Sequence, residues 1–418
     1  MPGEQFKASP GTRDVLPPES RRWQALRAAF ADLAGRSGYE LVETPLFEDA
    51  GVFSRVGEGT DIVRKEMYVF EDKGGRTLAL RPEGTAAVCR AFVQHRPQTP
   101  WKVWYVAQNF RYERAQAGRY RQHTQLGIEA LGTEDPDVDV EVLWFGATYL
   151  REIGLRRVLL VLNSIGDAQC RPAYLDLLRA YLHERADRLC DEHRPRIDEN
   201  PLRVLDCKRA ACREATADAP RTVDHLCEPC QQHFQRVLEG LHALNVDYAI
   251  DHRLVRGLDY YTRTTFEFQA TALETANSTV LAGGRYNGLV ESLGGPPTPG
   301  IGFGSGIERV LLACDAEEAF PTPDRGVDVF VVDLVGGGAA RDLTASLRER
   351  GIGADRAFEA RSMKAQMKAA DRSGARFAAI VGEDEDAAGA VTVRPLREEG
   401  EQELVPREKL VDHLKGLL

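Results

Sequence analysis

The chain has 418 residues, enough for two or three domains, and its 43% hydrophobic and 28% charged residues are the balance of a soluble globular fold. With 54 Lys and Arg against 64 Asp and Glu, the formal charge of −10 argues against indiscriminate nucleic-acid binding but leaves room for a local basic surface. No apolar run approaches the ~18 residues of a membrane span, and the N-terminal residues lack a signal-peptide core. Eight Cys in this length are no disulfide framework. A cytoplasmic protein with free or metal-ligating thiols is expected, and no membrane partner.

Pro17-Pro18 opens a first helix, with Trp23, Leu26, Phe30 and Leu33 at helical spacing and Gly38 at its end. A short strand, 39–43, is closed by Pro45. Residues 67–71 and 77–80 around Gly74-Gly75 predict a hairpin. A helix follows over 83–95, then strands over 102–111 and 121–131 around a loop with basic flanks. Helix 138–153, strand 158–162 and helix 173–187 come next. Residues 188–235 are dense in Cys, His, Pro and charge and carry no strand signal, which marks an insertion. Strand signals return at 248–251, 264–268 and 280–282. The string GIGFGSGIERVLL reads as a strand entering a helix. After Pro321 and Pro323 a β-α-β-α-β order over about 90 residues predicts a separate α/β domain.

No P-loop, GxSxG elbow or HExxH is present, and Gly283, Gly284 and Gly288 are spaced wrongly for a dinucleotide fingerprint, so turns or close backbone packing are expected there. Arginine stands out instead. Arg111, Arg114, Arg119 and Arg121 share one segment with a single acid, Glu113. Guanidinium forks suit polyphosphate oxygens, although a solvated, salt-bridged hairpin would look the same. Arg256 precedes Tyr260-Tyr261, and Arg309 follows a Gly-rich strand. Arginines on three separate β-segments can converge only on the floor of an antiparallel sheet.

These segments resemble those of histidyl-tRNA synthetases, a branch of the class II aminoacyl-tRNA synthetases, nearly end to end. Residues 19–45 resemble the first class motif, FRYERAQAGRYRQHTQLGIEALG (within about 104–132) the second, and 300–312 the third. LVRGLDYYTRTTFEF (254–268) and AGGRYNGLV (282–290) match the histidine-specific branch, and GTRDVLPPE and RPEGTAAVCR also match. The resemblance implies an α+β catalytic domain over 1–320, built on an antiparallel sheet flanked by helices. It places a helical or irregular insertion at about 170–240 and an α/β anticodon-binding domain at 326–418.

The implied activity is ATP-dependent activation of L-histidine followed by transfer to histidine tRNA, in a homodimer whose interface lies at the first motif. Arg111 and Arg256 would act on the α-phosphate as catalytic residues. Glu113, Arg119, His123 and Arg309 would join Arg111 in binding ATP with its Mg2+. Glu83, Gly84, Thr85 and Gln125 would hold the substrate α-ammonium. Glu129 and Tyr261 would bond the imidazole, and Tyr260 would line the pocket. Two departures stand out: Arg114-Ala115-Gln116 where the family often has Arg-Pro-Gln, and His123 where it commonly has Phe, which adds a titratable group beside ATP. The alternative is a synthetase-like regulatory subunit of ATP phosphoribosyltransferase. The intact arginines and the C-terminal domain argue against it.

Cys207, Cys212, Cys227 and Cys230 lie at C-x4-C and C-x2-C spacings, which predicts one zinc site or four unrelated thiols, with His225 and His233 as further candidate ligands. Cys89, Cys170, Cys190 and Cys314 read as packing residues. Between 356 and 376 six basic residues face two acids. Arg361, Lys364, Lys368 and Arg372 share helical spacing, a candidate tRNA-backbone surface.

Overall fold

The structure, a computed structural model, describes the chain except residues 1–5, 58–61, 115–117, 256–259, 274–277, 325, 337 and 360. The chain divides into two compact units, Met1–Pro321 and Thr322–Leu418. Among the described residues no helix is long and apolar enough to cross a membrane.

The first unit contains strands β1 (Glu40–Leu41), β2 (Phe47–Asp49), β3 (Val69–Glu71), β4 (Thr77–Leu80), β5 (Trp101–Phe110), β6 (Gln122–Leu131), β7 (Val158–Ser164), β8 (Tyr248–Ile250), β9 (Thr262–Ala270), β10 (Thr279–Arg285) and β11 (Gly300–Gly306). Eight of them form one sheet in the order β1-β5-β6-β11-β10-β9-β7-β8. Its central ladders are antiparallel, and only the outer pairs β1–β5 and β7–β8 are parallel. β2, β4 and β3 make a small separate sheet.

Period-2 alternation decides which face of the large sheet is the core. Leu126, Ile128, Ile301 and Phe303 point to one side and pack on helices Glu19–Arg36, Pro136–Glu152 and Ile307–Ala316. Phe30 sits at the centre, its ring 5.2 Å from that of Phe145 and 5.0 Å from that of Tyr149. The long helix Pro136–Glu152 starts as its sequence dictates. Asp135 caps it by accepting the Asp137 N–H, Pro136 occupies the first turn, and Asp137 and Asp139 meet the positive end of the dipole.

Residues 188–235 are built of 3-10 turns and short helices such as Leu202–Leu205 and Ala210–Ala215. They nevertheless enclose an apolar cluster of their own, with Leu189, Ile197, Val204 and Leu205 packed on Tyr174, Leu178 and Leu182. Sequence reading overlooked the 16-residue helix Glu228–Ala243, which begins inside this segment and buries Val237 and Leu241 in the main core.

The second unit is a five-stranded sheet. Its strands are β12 (Val329–Asp333), β13 (Ala354–Arg356), β14 (Phe377–Val381), β15 (Ala390–Pro395) and β16 (Glu403–Pro406), in the order β13-β12-β14-β15-β16. The first three are parallel, and the rest run antiparallel.

Candidate active site

The face of the large sheet opposite the core is polar on one strand and bare on the next. His123, Gln125, Gly127 and Glu129 of β6 pair with Asn109, Ala107, Tyr105 and Val103 of β5. On the other side Gln125, Gly127 and Glu129 stand opposite Gly306, Gly304 and Gly302 of β11. The alternate residues of β11 are therefore glycines, and the floor beside Gln125 and Glu129 stays clear of side chains. A Cβ at Gly302 would overlap both Glu129 Oε2 and the Ile128 carbonyl oxygen. Gly283 and Gly284 are not turn residues. They lie within β10, where a side chain would strike the Gly302 carbonyl or, at 2.8 Å, the Tyr261 ring.

Glu129 is fully buried, and three hydroxyls converge on it. Thr85 Oγ1 and Tyr105 Oη donate to Oε1 at 2.7 and 3.2 Å, and Tyr286 Oη donates to Oε2 at 2.5 Å. Burial pushes the Glu129 carboxyl up to about 8, against the opposing hydroxyls of Thr85 and Tyr286, and the nearby Glu83 charge adds to the rise. Burial holds the Tyr105 and Tyr286 hydroxyls well above their ordinary range, so both remain donors. Glu83 caps helix Thr85–His95 by accepting the Thr85 and Ala86 amides at 2.6 and 2.8 Å. Burial raises its carboxyl despite them. Gly84 leaves room for the Tyr105 ring, which a Cβ would meet at 2.6 Å. The Tyr260 ring lies tilted against that of Tyr261 at 4.7 Å and meets Tyr286 edge-on at 6.0 Å. The result is a buried carboxyl walled by tyrosines. It suits a small ring with N–H groups, and an apolar side chain there would leave those polar groups unpaired.

Farther along the same face the cations gather. Arg111 Nε donates to the Pro82 carbonyl at 2.8 Å, and its Nη1 lies 3.9 Å from Glu113. Arg119 lies 3.7 Å from the same carboxylate. Arg309 donates to the carbonyls of Gly118 and Thr279 at 3.1 and 3.3 Å. Burial, then the like charges of Arg119 and Arg111, lower the Arg309 guanidinium, and the attraction of Glu113 and Glu267 does not cancel them. The His123 ring is pushed down to about 3 by burial and then by Arg111 and Arg309, so it is neutral over the physiological range. Arginines crowded closely enough to repel one another, beside a neutral imidazole, make a site suited to a polyanion.

The described geometry thus brings Arg111, Glu113, Arg119, His123 and Arg309 to one region, and Glu83, Thr85, Glu129, Tyr260 and Tyr261 to another. Gln125 lies on β6 between His123 and Glu129 and accepts from Asn109 Nδ2 at 2.7 Å. Arg256, Ala115 and Gln116 lie outside the described residues.

A profile of the histidyl-tRNA synthetase family matches residues 11–310, and one of the anticodon-binding domain matches residues 328–417. The chain belongs to the histidyl-tRNA synthetase family. It is 44% identical over 416 residues to a histidine–tRNA ligase of Dehalococcoides mccartyi, covering 98% of this chain and 99% of the relative. To that of Moorella thermoacetica it is 47% identical over 413 residues, 97% of each chain. The crystal structure of apo S. aureus histidyl-tRNA synthetase matches with a TM-score of 0.83 at 36% identity, covering 98% of this chain and 100% of that one.

Sequence reading missed several residues that this synthetase fold places at the site. Tyr105 and Tyr286 hold Glu129, and Asn109 holds Gln125. Buried Glu308, raised to about 7 by burial, accepts the Thr124 N–H at 2.9 Å and so extends the β6 ladder past the end of β11. The alternation H-x-Q-x-G-x-E facing G-x-G-x-G was the signal that could have found the floor.

The expected zinc site is not assembled as drawn. Cys207 and Cys212 cluster with Cys190 and His193, whereas Cys227 and Cys230 cluster with Asp167 and Cys170. Cys170 and Cys190, read from the sequence as packing residues, each lie in one of these groups. The reason is topological: 227–230 begins the helix that returns to the main core, while 207–212 stays within the insertion's own cluster. His233 joins neither group. Its Nε2 lies 3.1 Å from Asp139 Oδ1, where Asp139 also pairs with the fully buried Arg285. His225 lies against the Tyr174 ring instead.

Proposed function

We propose that the two regions of this face bind L-histidine and ATP side by side, so that the histidine carboxylate attacks the α-phosphate to give histidyl-adenylate and pyrophosphate. Histidine then passes to the 3′ end of histidine tRNA. The chain is an ATP-dependent aminoacyl-tRNA ligase, and the observation that carries the substrate reading is Glu129, a buried carboxyl ringed by hydroxyls.

Glu129 and Tyr261 take the imidazole nitrogens, with Tyr260 beside the ring. Glu83, Gly84, Thr85 and Gln125 surround the α-ammonium, for which carboxylate and amide oxygens are the acceptors. Negative charge grows on the non-bridging α-phosphate oxygens, and prepositioned cations stabilise it most. Arg111 supplies one such cation and Arg256 a second. Arg309 and Arg119 hold the outer phosphates, His123 stacks on adenine, and Glu113 accepts from the adenine amino group. Mg2+ enters with ATP. Glu267, whose charge reaches Arg309, offers carboxylate oxygens of the kind a hard cation takes.

A homodimer fits the small sheet and its neighbours. Leu41, Leu46, Phe47, Val69 and Phe70 are exposed, and the Phe47 and Phe70 rings meet at 6.3 Å, an apolar surface that association would cover. The second unit binds the anticodon end of the tRNA.

The test is exchange of labelled pyrophosphate into ATP with each amino acid in turn. Exchange that depends on histidine alone supports the reading, and exchange with another amino acid or none overturns it. Arg256→Ala should lower the exchange rate about 10²–10³-fold, with a smaller effect on histidine affinity.

A further inference from the structure

We propose that the chain carries two separate structural zinc sites, one of Cys190, His193, Cys207 and Cys212, the other of Asp167, Cys170, Cys227 and Cys230. Within each group the ligand atoms all lie within 4.8 Å of one another. Tetrahedral zinc with sulfur at about 2.3 Å sets ligand–ligand edges of about 3.8 Å, so shifts of about an ångström or less bring either set to that geometry.

The first group has the composition of a structural zinc centre, three thiols and one imidazole. Cys190 Sγ and His193 Nδ1 are already 3.1 Å apart. The backbone N–H of Cys190 donates to Cys212 Sγ at 3.3 Å, a bond that would stabilise a coordinating thiolate. The elements joined are a turn at 190–193 and the six-residue helix Ala210–Ala215, too short to persist alone.

The second group replaces the imidazole with a carboxylate, and that carboxylate is oriented. Asp167 Oδ1 lies 3.7 Å from Cys170 Sγ and 3.9 Å from Cys227 Sγ, while Oδ2 accepts from Arg263 at 3.3 Å. One oxygen thus faces the thiols, and the other is held from behind by a cation that offsets the charge three thiolates would bring. This site lies outside the insertion's own cluster. The Arg263 N–H donates to Gly166 O at 2.7 Å, and Arg171 donates to Gly166 O and Tyr261 O at 3.0 and 2.6 Å. A metal there would fasten the start of helix Glu228–Ala243 to the loop that carries the backbone of Tyr261.

The experiment is elemental analysis of the full chain purified without chelators, with thiols counted after denaturation. Two zinc atoms per chain and eight titratable thiols are expected. Cys207→Ser with Cys212→Ser should lose one zinc, and Cys227→Ser with Cys230→Ser the other. Should these variants fail to fold, His193→Cys and Asp167→Cys keep four ligands each. Each should retain two zinc atoms, one of them released more slowly to a chromogenic chelator than in the wild type. A count of one or none, iron in place of zinc, missing thiols that mark disulfides, or unchanged release from both ligand-swap variants overturns the assignment.

Discussion

Gly302 stands directly opposite Glu129 in the ladder between β11 and β6, and the absence of its side chain makes room for the Glu129 carboxyl. Gly302→Ala would set a methyl group against both that carboxyl and the fixed Ile128 carbonyl, so the floor itself must shift. The variant should lose about 1–3 kcal/mol of stability by overpacking and most of its histidine-dependent exchange. Denaturant unfolding together with pyrophosphate exchange checks both; a stable, active alanine variant would show that the floor tolerates a side chain.

Glu129→Gln keeps the shape and one acceptor of the carboxyl. It should weaken histidine binding far more than ATP binding, and equal losses would remove Glu129 from the imidazole subsite. The substitution also has a signature without ligand. The folded carboxyl titrates near 8 and the unfolded one near 4.5. Across that interval the native state holds a proton that the unfolded state releases, so stability falls as pH rises, by roughly 1 kcal/mol per pH unit from this group. The Gln variant should flatten that slope in unfolding measurements between pH 5 and 8.

His123 titrates near 3 in the folded chain, below its ordinary 6.5. The ring is therefore neutral near neutrality in the free chain, and His123→Phe should leave the shape of the exchange profile unchanged between about pH 6 and 8.5. The effect on stability is on the acid side. Below pH 6.5 the unfolded imidazole takes up a proton that the folded one refuses, so stability is lost as pH falls toward 3. The Phe variant should resist acid better; a shifted neutral-range profile would mean the ring is charged at work.

Lys364, Lys368 and Arg372 are exposed on helix Met363–Ser373, whose Gln366, Ala370 and Ser373 face inward. Arg361 precedes the helix and pairs with Glu359 at 3.3 Å, so the basic face is one residue shorter than its spacing suggested. Lys364→Glu with Lys368→Glu should raise the Michaelis constant for tRNA. It should also reduce the log–log salt slope by about 0.7–0.9 for each phosphate that these lysines neutralise. Pyrophosphate exchange should be unaffected, and an unchanged salt slope would remove this face from the tRNA surface.

How much was legible beforehand follows from what each element depends on. β5, β6 and the second unit's parallel strands were visible because burial imposes periodic patterns on contiguous residues. The arginines were visible because clustered guanidiniums are rare on strands, and their grouping around His123 needed only an antiparallel floor. The tyrosines on Glu129 were not visible, since Tyr105 and Tyr286 meet it only through ladders spanning 24 and 157 residues. The thiols misled for the same reason. Spacing along the chain suggested one group of four, but chain direction through the insertion sends 207–212 and 227–230 to different neighbours. Helix Glu228–Ala243 was hidden by the charged residues on its outer face, though Phe234, Val237 and Leu241 lie at helical spacing.

That helix limits how the enzyme can be shortened. Residues 188–227 form a loop-like excursion whose interior is shared with Tyr174, Leu178 and Leu182 of helix Arg171–His183, so trimming it would uncover that helix. Excision through residue 240 would instead strip Val237 from the central packing and remove His233 from Asp139, which shares its carboxylate with Arg285 at the end of β10. A minimal synthetase drawn from this scaffold must therefore retain helix Glu228–Ala243 and the Cys227 before it, so any deletion must end before residue 227.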